Sequence, residues 1–94
     1  MNIRRLVLDV DKTLSRPTIV ELAQAIGQVQ GVEGFNIAVM EIDTETVGTE
    51  VTVEGSDIDY DQLVREIETS GAVVHGIDEI ACGSRLIENV QRKR

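Results

Sequence analysis

The stretch VGTEVTVEGSDIDYDQLVREIETSG, residues 47–71, decides the fold. Its opening alternates, with Thr49, Val51 and Val53 set against Glu50, Thr52 and Glu54. A strand with one apolar and one polar face belongs in an antiparallel sheet that is covered on one side only. The period then changes. Asp59 is a good N-cap, Gln62 stands three residues later in the position a capping box uses, and Ile58 and Leu63 occupy the hydrophobic-staple positions. Tyr60, Leu63, Val64 and Ile67 recur at helical spacing, and Gly71 closes the helix.

The flanking segments repeat this order. Residues 34–42 read as a strand, and Asp43-Thr44-Glu45-Thr46 as the turn that folds it back onto residues 47–54. Before it, residues 17–30 predict a helix. Pro17 falls in its first turn, Ile19, Leu22, Ala23, Ile26 and Val29 form its apolar stripe, and Gly31 ends it in a left-handed conformation. Residues 3–10 and 72–81 supply the first and last strands. The order is βαββαβ, the split-βαβ or ferredoxin-like arrangement. It is an α+β sandwich with a four-stranded antiparallel sheet in the order 4-1-3-2 and both helices on one face. Residues 1–83 make this domain. Residues 84–94 form a separate basic tail with a net charge of +3, in which Leu86, Ile87 and Val90 have helical spacing. The null expectation is a frayed terminus, against a tail that docks on an acidic surface of its own or a neighbouring subunit.

Charge and composition exclude several roles. The 94 residues carry a formal charge of −8, so the body without its tail is more acidic still, at −11. An acidic surface makes nucleic acid and anionic membranes poor partners. Phe35 and Tyr60 are the only aromatic residues, which leaves the core aliphatic and the sheet without the stacking platform of an RNA-recognition domain. No apolar run reaches membrane-spanning length, and the N-terminus leads straight into a strand, so a cytoplasmic location is expected. The single cysteine, Cys82, cannot form an intrachain disulfide and reads as a small buried hydrophobe. His75, the only histidine, stands in an otherwise apolar strand and reads as a hydrogen-bonded residue in or beside the core rather than a catalytic one.

Two stretches imitate catalytic motifs. Leu6-Val-Leu-Asp9-Val-Asp11-Lys-Thr13 resembles the first motif of the haloacid-dehalogenase-like phosphatases, an apolar strand ending in Asp-x-Asp-x-Thr. That resemblance implies a Mg2+-dependent phosphatase with Asp9 as nucleophile and Asp11 as acid/base. The family needs a longer parallel sheet, a later Lys and a later acidic pair, and the remaining residues read as hairpin and helix. Gly27-Gln-Val-Gln-Gly31-Val-Glu-Gly-Phe35 resembles the acylphosphatase signature. There it forms the loop between strand one and helix one and includes an Arg. Here it covers the end of helix one and the entry to strand two, and Asn36 stands where the Arg would be.

A broader resemblance covers most of residues 3–83. Ile3-Arg-Arg-Leu-Val-Leu-Asp-Val10, Gly31-Val-Glu-Gly-Phe-Asn-Ile37, Glu41-Ile-Asp43 and Val74-His-Gly-Ile-Asp-Glu-Ile80 are similar to a small archaeal family of uncharacterised ferredoxin-like proteins. Asp11-Lys12-Thr13 departs from it, standing where an apolar residue followed by Lys-Pro is expected. The resemblance assigns no biochemical function. It implies homo-oligomers, including rings, sometimes with a bound divalent cation.

The residues point independently to the same assembly. Phe35, Ile37 and Val39 fall on one face of the second strand and Ala38, Met40 and Ile42 on the other, an apolarity that a one-sided sheet does not need. The expected function is a non-enzymatic self-assembling domain with a structural divalent cation. A sensor domain binding a small molecule between subunits is the alternative. With strands one and three adjacent, Arg5 faces Glu54 and Asp9 faces Glu50. Facing carboxylates share a proton or bind a cation, and Asp11 lies just past the strand. Asp9, Asp11 and Glu50 are therefore the candidate metal ligands, and their hard oxygens favour Ca2+ or Mg2+.

Overall fold

The structure, a computed structural model, describes residues 1–90. Its elements are β1 (Ile3–Thr13), α1 (Ile19–Ile26), β2 (Val32–Ile42), β3 (Thr46–Gly55), α2 (Tyr60–Ser70) and β4 (Val73–Cys82). All strand neighbours are antiparallel, and the sheet order is β2-β3-β1-β4. This is the expected ferredoxin-like α+β sandwich, with β1 and β3 in the middle. The register pairs Leu6 with Val53 and Leu8 with Val51. These four side chains are fully buried, together with Val10, Leu22 and Ile26 from α1, and Leu63 and Ile67 from α2. Aliphatic burial of this kind contributes about 1.5–3 kcal/mol per side chain.

Both helix starts are locally encoded. Asp59 caps α2 by accepting the Gln62 N–H, and Ile58 and Leu63 are buried as a staple requires. Gln62 does not complete a capping box. Its amide instead ties α2 to the turn after α1, accepting from the Gln30 N–H at 2.8 Å and donating to Gln28 O at 3.3 Å. The full capping box sits on α1, where Thr18 accepts from the Glu21 N–H and Glu21 accepts from the Thr18 N–H. That bond to the Thr18 backbone holds the Glu21 carboxyl below the usual carboxylate range. The box therefore contributes at neutral pH, and its contribution is lost as the pH falls through the lowered value.

The helix expected over 17–30 is shorter. Pro17 precedes the cap and is buried rather than helical, and α1 ends at Ile26 with Gly27 as its C-cap. Gly31 does take a positive φ, +90°, but in the turn into β2. There its carbonyl accepts from Ser56 N at 3.0 Å, bringing the start of β2 against the end of β3. A Cβ on Gly55 would lie 1.8 Å from the Gly31 carbonyl oxygen. β1 also runs three residues further than expected, so Asp11, Lys12 and Thr13 are strand residues. Lys12 points to the helix side, is 6% exposed, and donates through Nζ to Thr13 O at 2.7 Å.

Gly55→Ala should lower the unfolding free energy by about 2–4 kcal/mol, because backbone meets the new methyl. Gly76→Ala, whose Cβ would meet nothing within 4 Å, should change it by less than about 0.5 kcal/mol. Urea denaturation of the two variants measures the contrast.

Candidate functional site

The face of the sheet away from the helices is open. β1 directs Arg5, Val7, Asp9 and Asp11 onto it, and β3 directs Glu54, Thr52 and Glu50, because paired residues in an antiparallel ladder share a face. The register sets Asp9 opposite Glu50 and Arg5 opposite Glu54, as the alternation of the two strands predicts. On either side the floor is bare. Gly48 stands opposite Asp11 on β3, and Gly76 opposite Asp9 on β4. The result is a concavity of about 390 Å3 whose lining includes Asp9, Asp11, Glu41, Glu50, His75 and Asp78.

The three expected metal ligands, Asp9, Asp11 and Glu50, thus line one concavity, with three further residues that the sequence reading did not include. His75 is the unexpected one. Its Nδ1 lies 3.1 Å from Asp11 Oδ2, and its side chain is exposed, not set in or beside the core. β4 meets β1 with register shifts between Val7 and Leu8 and between Asp9 and Val10. Such irregularities re-aim side chains, and no residue type in the sequence announces them. Glu41 arrives in the same way. A shift between Val39 and Glu41 pairs Glu41 with Gly48 and turns Ile42 toward Val47 on the helix side. Among the described residues no group of three His, Cys, Asp or Glu converges closely enough to hold an ion as it stands.

The phosphatase-like motif has no phosphatase geometry. Asp9 and Asp11 lie within an antiparallel strand that continues to Thr13. The Thr13 hydroxyl makes a turn, donating to Arg16 O at 2.7 Å and accepting from Arg16 N at 3.2 Å. Lys12 is buried on the opposite face. Cys82, expected to be buried, is exposed at the end of the edge strand β4.

At the other end of the open face Arg5 organises a second cluster. Its Nε donates to Glu54 Oε2 at 2.8 Å, and Nη1 and Nη2 donate to the two carboxylate oxygens of Glu88 at 2.8 and 3.0 Å. The guanidinium holds the Glu88 carboxyl below its ordinary range. Residues 84–90 are not helical, so the spacing of Leu86, Ile87 and Val90 is not used that way. The contact seen is an acidic tail residue on a basic sheet residue, the reverse in sign of a basic tail on an acidic body. Arg92, Lys93 and Arg94, which carry most of the tail's positive charge, lie outside the described residues.

Directly opposed like charges cost stability. In the presence of a chelator, Asp9→Asn or Glu50→Gln should raise the unfolding free energy by about 0.5 kcal/mol. Thermal unfolding at low ionic strength gives the sign, and a loss of stability would show that the two carboxylates do not oppose each other.

The chain was compared with known proteins. The family profile described as uncharacterised ArCR, DUF211, matches residues 4–94. An uncharacterised protein of Methanocaldococcus jannaschii, MJ0319, is 40% identical over 89 residues, which are 95% of this chain and 91% of that protein. No helix among the described residues is long and apolar enough to cross a membrane. The chain belongs to the DUF211 family of uncharacterised proteins.

Proposed function

We propose that this chain is a non-enzymatic, self-associating domain that holds a divalent cation on the open face of its sheet, at Asp9, Asp11 and Glu50. The observation that carries this reading is the register pairing of Asp9 with Glu50, with Asp11 on the same face of the same strand. A cation between these carboxylates would relieve their repulsion, and oxygen donors of this kind suit Ca2+ or Mg2+. The described side chains alone do not close around an ion. Donors from a second copy would complete the coordination, which makes cation binding and association one property.

The apolar surface supports association. α1 has eight residues and α2 eleven, so they extend about 12 and 16 Å, whereas the strands, at ten or eleven residues, run about 33–37 Å. The helix layer is too short to cover the sheet. On β2, Ile37 still packs against the core, but Val39 is 48% exposed and Ile42 72%. On β4, Ile77 and Ile80 are exposed in the same manner. These aliphatic residues lie along the two opposite edges of the sheet, where a second copy would remove them from water.

Calorimetric titration with Ca2+ and with Mg2+ tests the cation. Binding at millimolar or lower concentration, lost in Asp9→Asn and in Glu50→Gln, is expected. No heat, or heat unchanged in both variants, would reject the site. Light scattering tests the assembly, with a mass several times 10.3 kDa expected at micromolar concentration. Val39→Asp should reduce that mass and leave the fold intact, while Ile37→Asp should unfold the chain as well. A ligand-sensing role would be favoured instead if a metabolite, and no cation, raised the melting temperature.

A further inference from the structure

The sheet ends in two edges that differ in how they are protected. An outer strand presents unpaired N–H and C=O groups, and proteins block such edges with charge, proline or bulges. β4 carries these devices. Asp78 and Glu79 stand within it, and its ladder with β1 shifts register at three points. β2 lacks them over its middle. Gly34-Phe-Asn-Ile-Ala-Val-Met40 contains no charged residue and no proline, and its pairing with β3 runs without a shift from Gly34 to Val39. Among the described residues nothing pairs with its outer side. Such an edge is a template for another strand.

The residues along this edge fit a second copy of themselves. Phe35, Ile37 and Val39 face the helix layer, paired with Val53, Val51 and Thr49 of β3, whereas Asn36 and Ala38 face the open side, paired with Thr52 and Glu50. In either direction from Ile37 the pattern is the same, a short side chain on the open face and then a large apolar one on the helix side. Antiparallel strands about a two-fold axis at Ile37 set Ile37 against Ile37, Phe35 against Val39 and Asn36 against Ala38 of the second copy. Phe35 and Val39, both exposed in the single chain, then cover each other. No like charges meet within this core, because Glu33 and Glu41 lie at or beyond the register shifts that bound it.

We propose that β2 pairs with β2 of a second copy, antiparallel about a two-fold axis at Ile37, so that two four-stranded sheets become one. This rests on the self-association proposed above and names the surface and the symmetry of the contact. β2 on β2 is favoured over β2 on β4, because β4 brings Asp78, Glu79 and an irregular ladder to the contact. The apolar layer beneath the helices then continues from one copy into the next through Phe35 and Val39. The open faces continue likewise, each with its own Asp9 concavity.

Cysteine linkage tests the contact on the full chain in a Cys82→Ser background. Ile37→Cys places two sulfurs across the axis, where opposed residues have Cα atoms about 4.5–5.5 Å apart, within disulfide reach. Mild oxidation should give a linked dimer. Because Ile37 also packs against the core, a second pair reads the register from exposed positions. Phe35→Cys and Val39→Cys should each stay unlinked alone, since the axis keeps each about 13 Å from its own copy, and should link when mixed. Val39→Lys should lower the association constant about tenfold or more. Circular dichroism verifies that each variant is folded. Phe35→Cys linking as readily alone as with Val39→Cys, or Val39→Lys of native mass, would overturn the proposal. A native monomer in light scattering removes self-association and this contact with it. A native oligomer that neither Ile37→Cys nor the mixed pair links removes only the contact.

Discussion

The pairing of β1 with β3 is the constraint on which the molecule depends. Side chains in a strand alternate, so one register determines the composition of both faces. Setting Leu6 against Val53 and Leu8 against Val51 buries the apolar set under the helices. The same setting places Arg5 beside Glu54 and Asp9 beside Glu50 on the open face. A slip of one residue would bury carboxylates and expose the core. The ladder thus holds an opposed acidic pair in place because the aliphatic residues on its reverse side outweigh it. A repulsion of a few tenths of a kcal/mol cannot displace contacts that contribute several.

The two ends of the open face differ in how charge is satisfied. At the Arg5 end one guanidinium meets three acidic groups, with Glu54 and Glu88 bonded to it and Glu79 at 3.9 Å. At the Asp9 end the carboxylates have His75 as the one basic group lining their concavity. This asymmetry separates an ionic latch from a surplus of negative charge along a single strand. The family comparison leaves the chemistry to these side chains.

Much of the fold was legible because it is encoded locally. The alternation of residues 47–54, the cap at Asp59 with its staple, and the left-handed Gly71 each act within a few residues, and each is found in place. The β1–β3 register was legible too, since setting Arg5 opposite Glu54 also aligns the leucines of one strand with the valines of the other. Less visible were features that depend on a distant partner. Gln62 has the position of a capping-box residue, yet its amide serves the turn after α1. Thr18 and Glu21, overlooked beside the helical pattern of residues 17–30, form the capping box that shortens α1.

Sequence by itself therefore determined the element order, the sheet order, the buried stripe and the facing of Asp9 and Glu50. All of these follow from periodicity and from the cost of burying charge. Tertiary structure alone decided that His75 reaches Asp11, that Glu41 and Asp78 share the concavity, that Cys82 is exposed, and that Glu88 closes on Arg5. The physical reason is common to these cases. Each residue lies on an edge strand or beyond it, where shifts in pairing and the end of the helix layer set which way a side chain points. Those shifts arise from packing between segments far apart in the chain, which periodicity within one segment does not record.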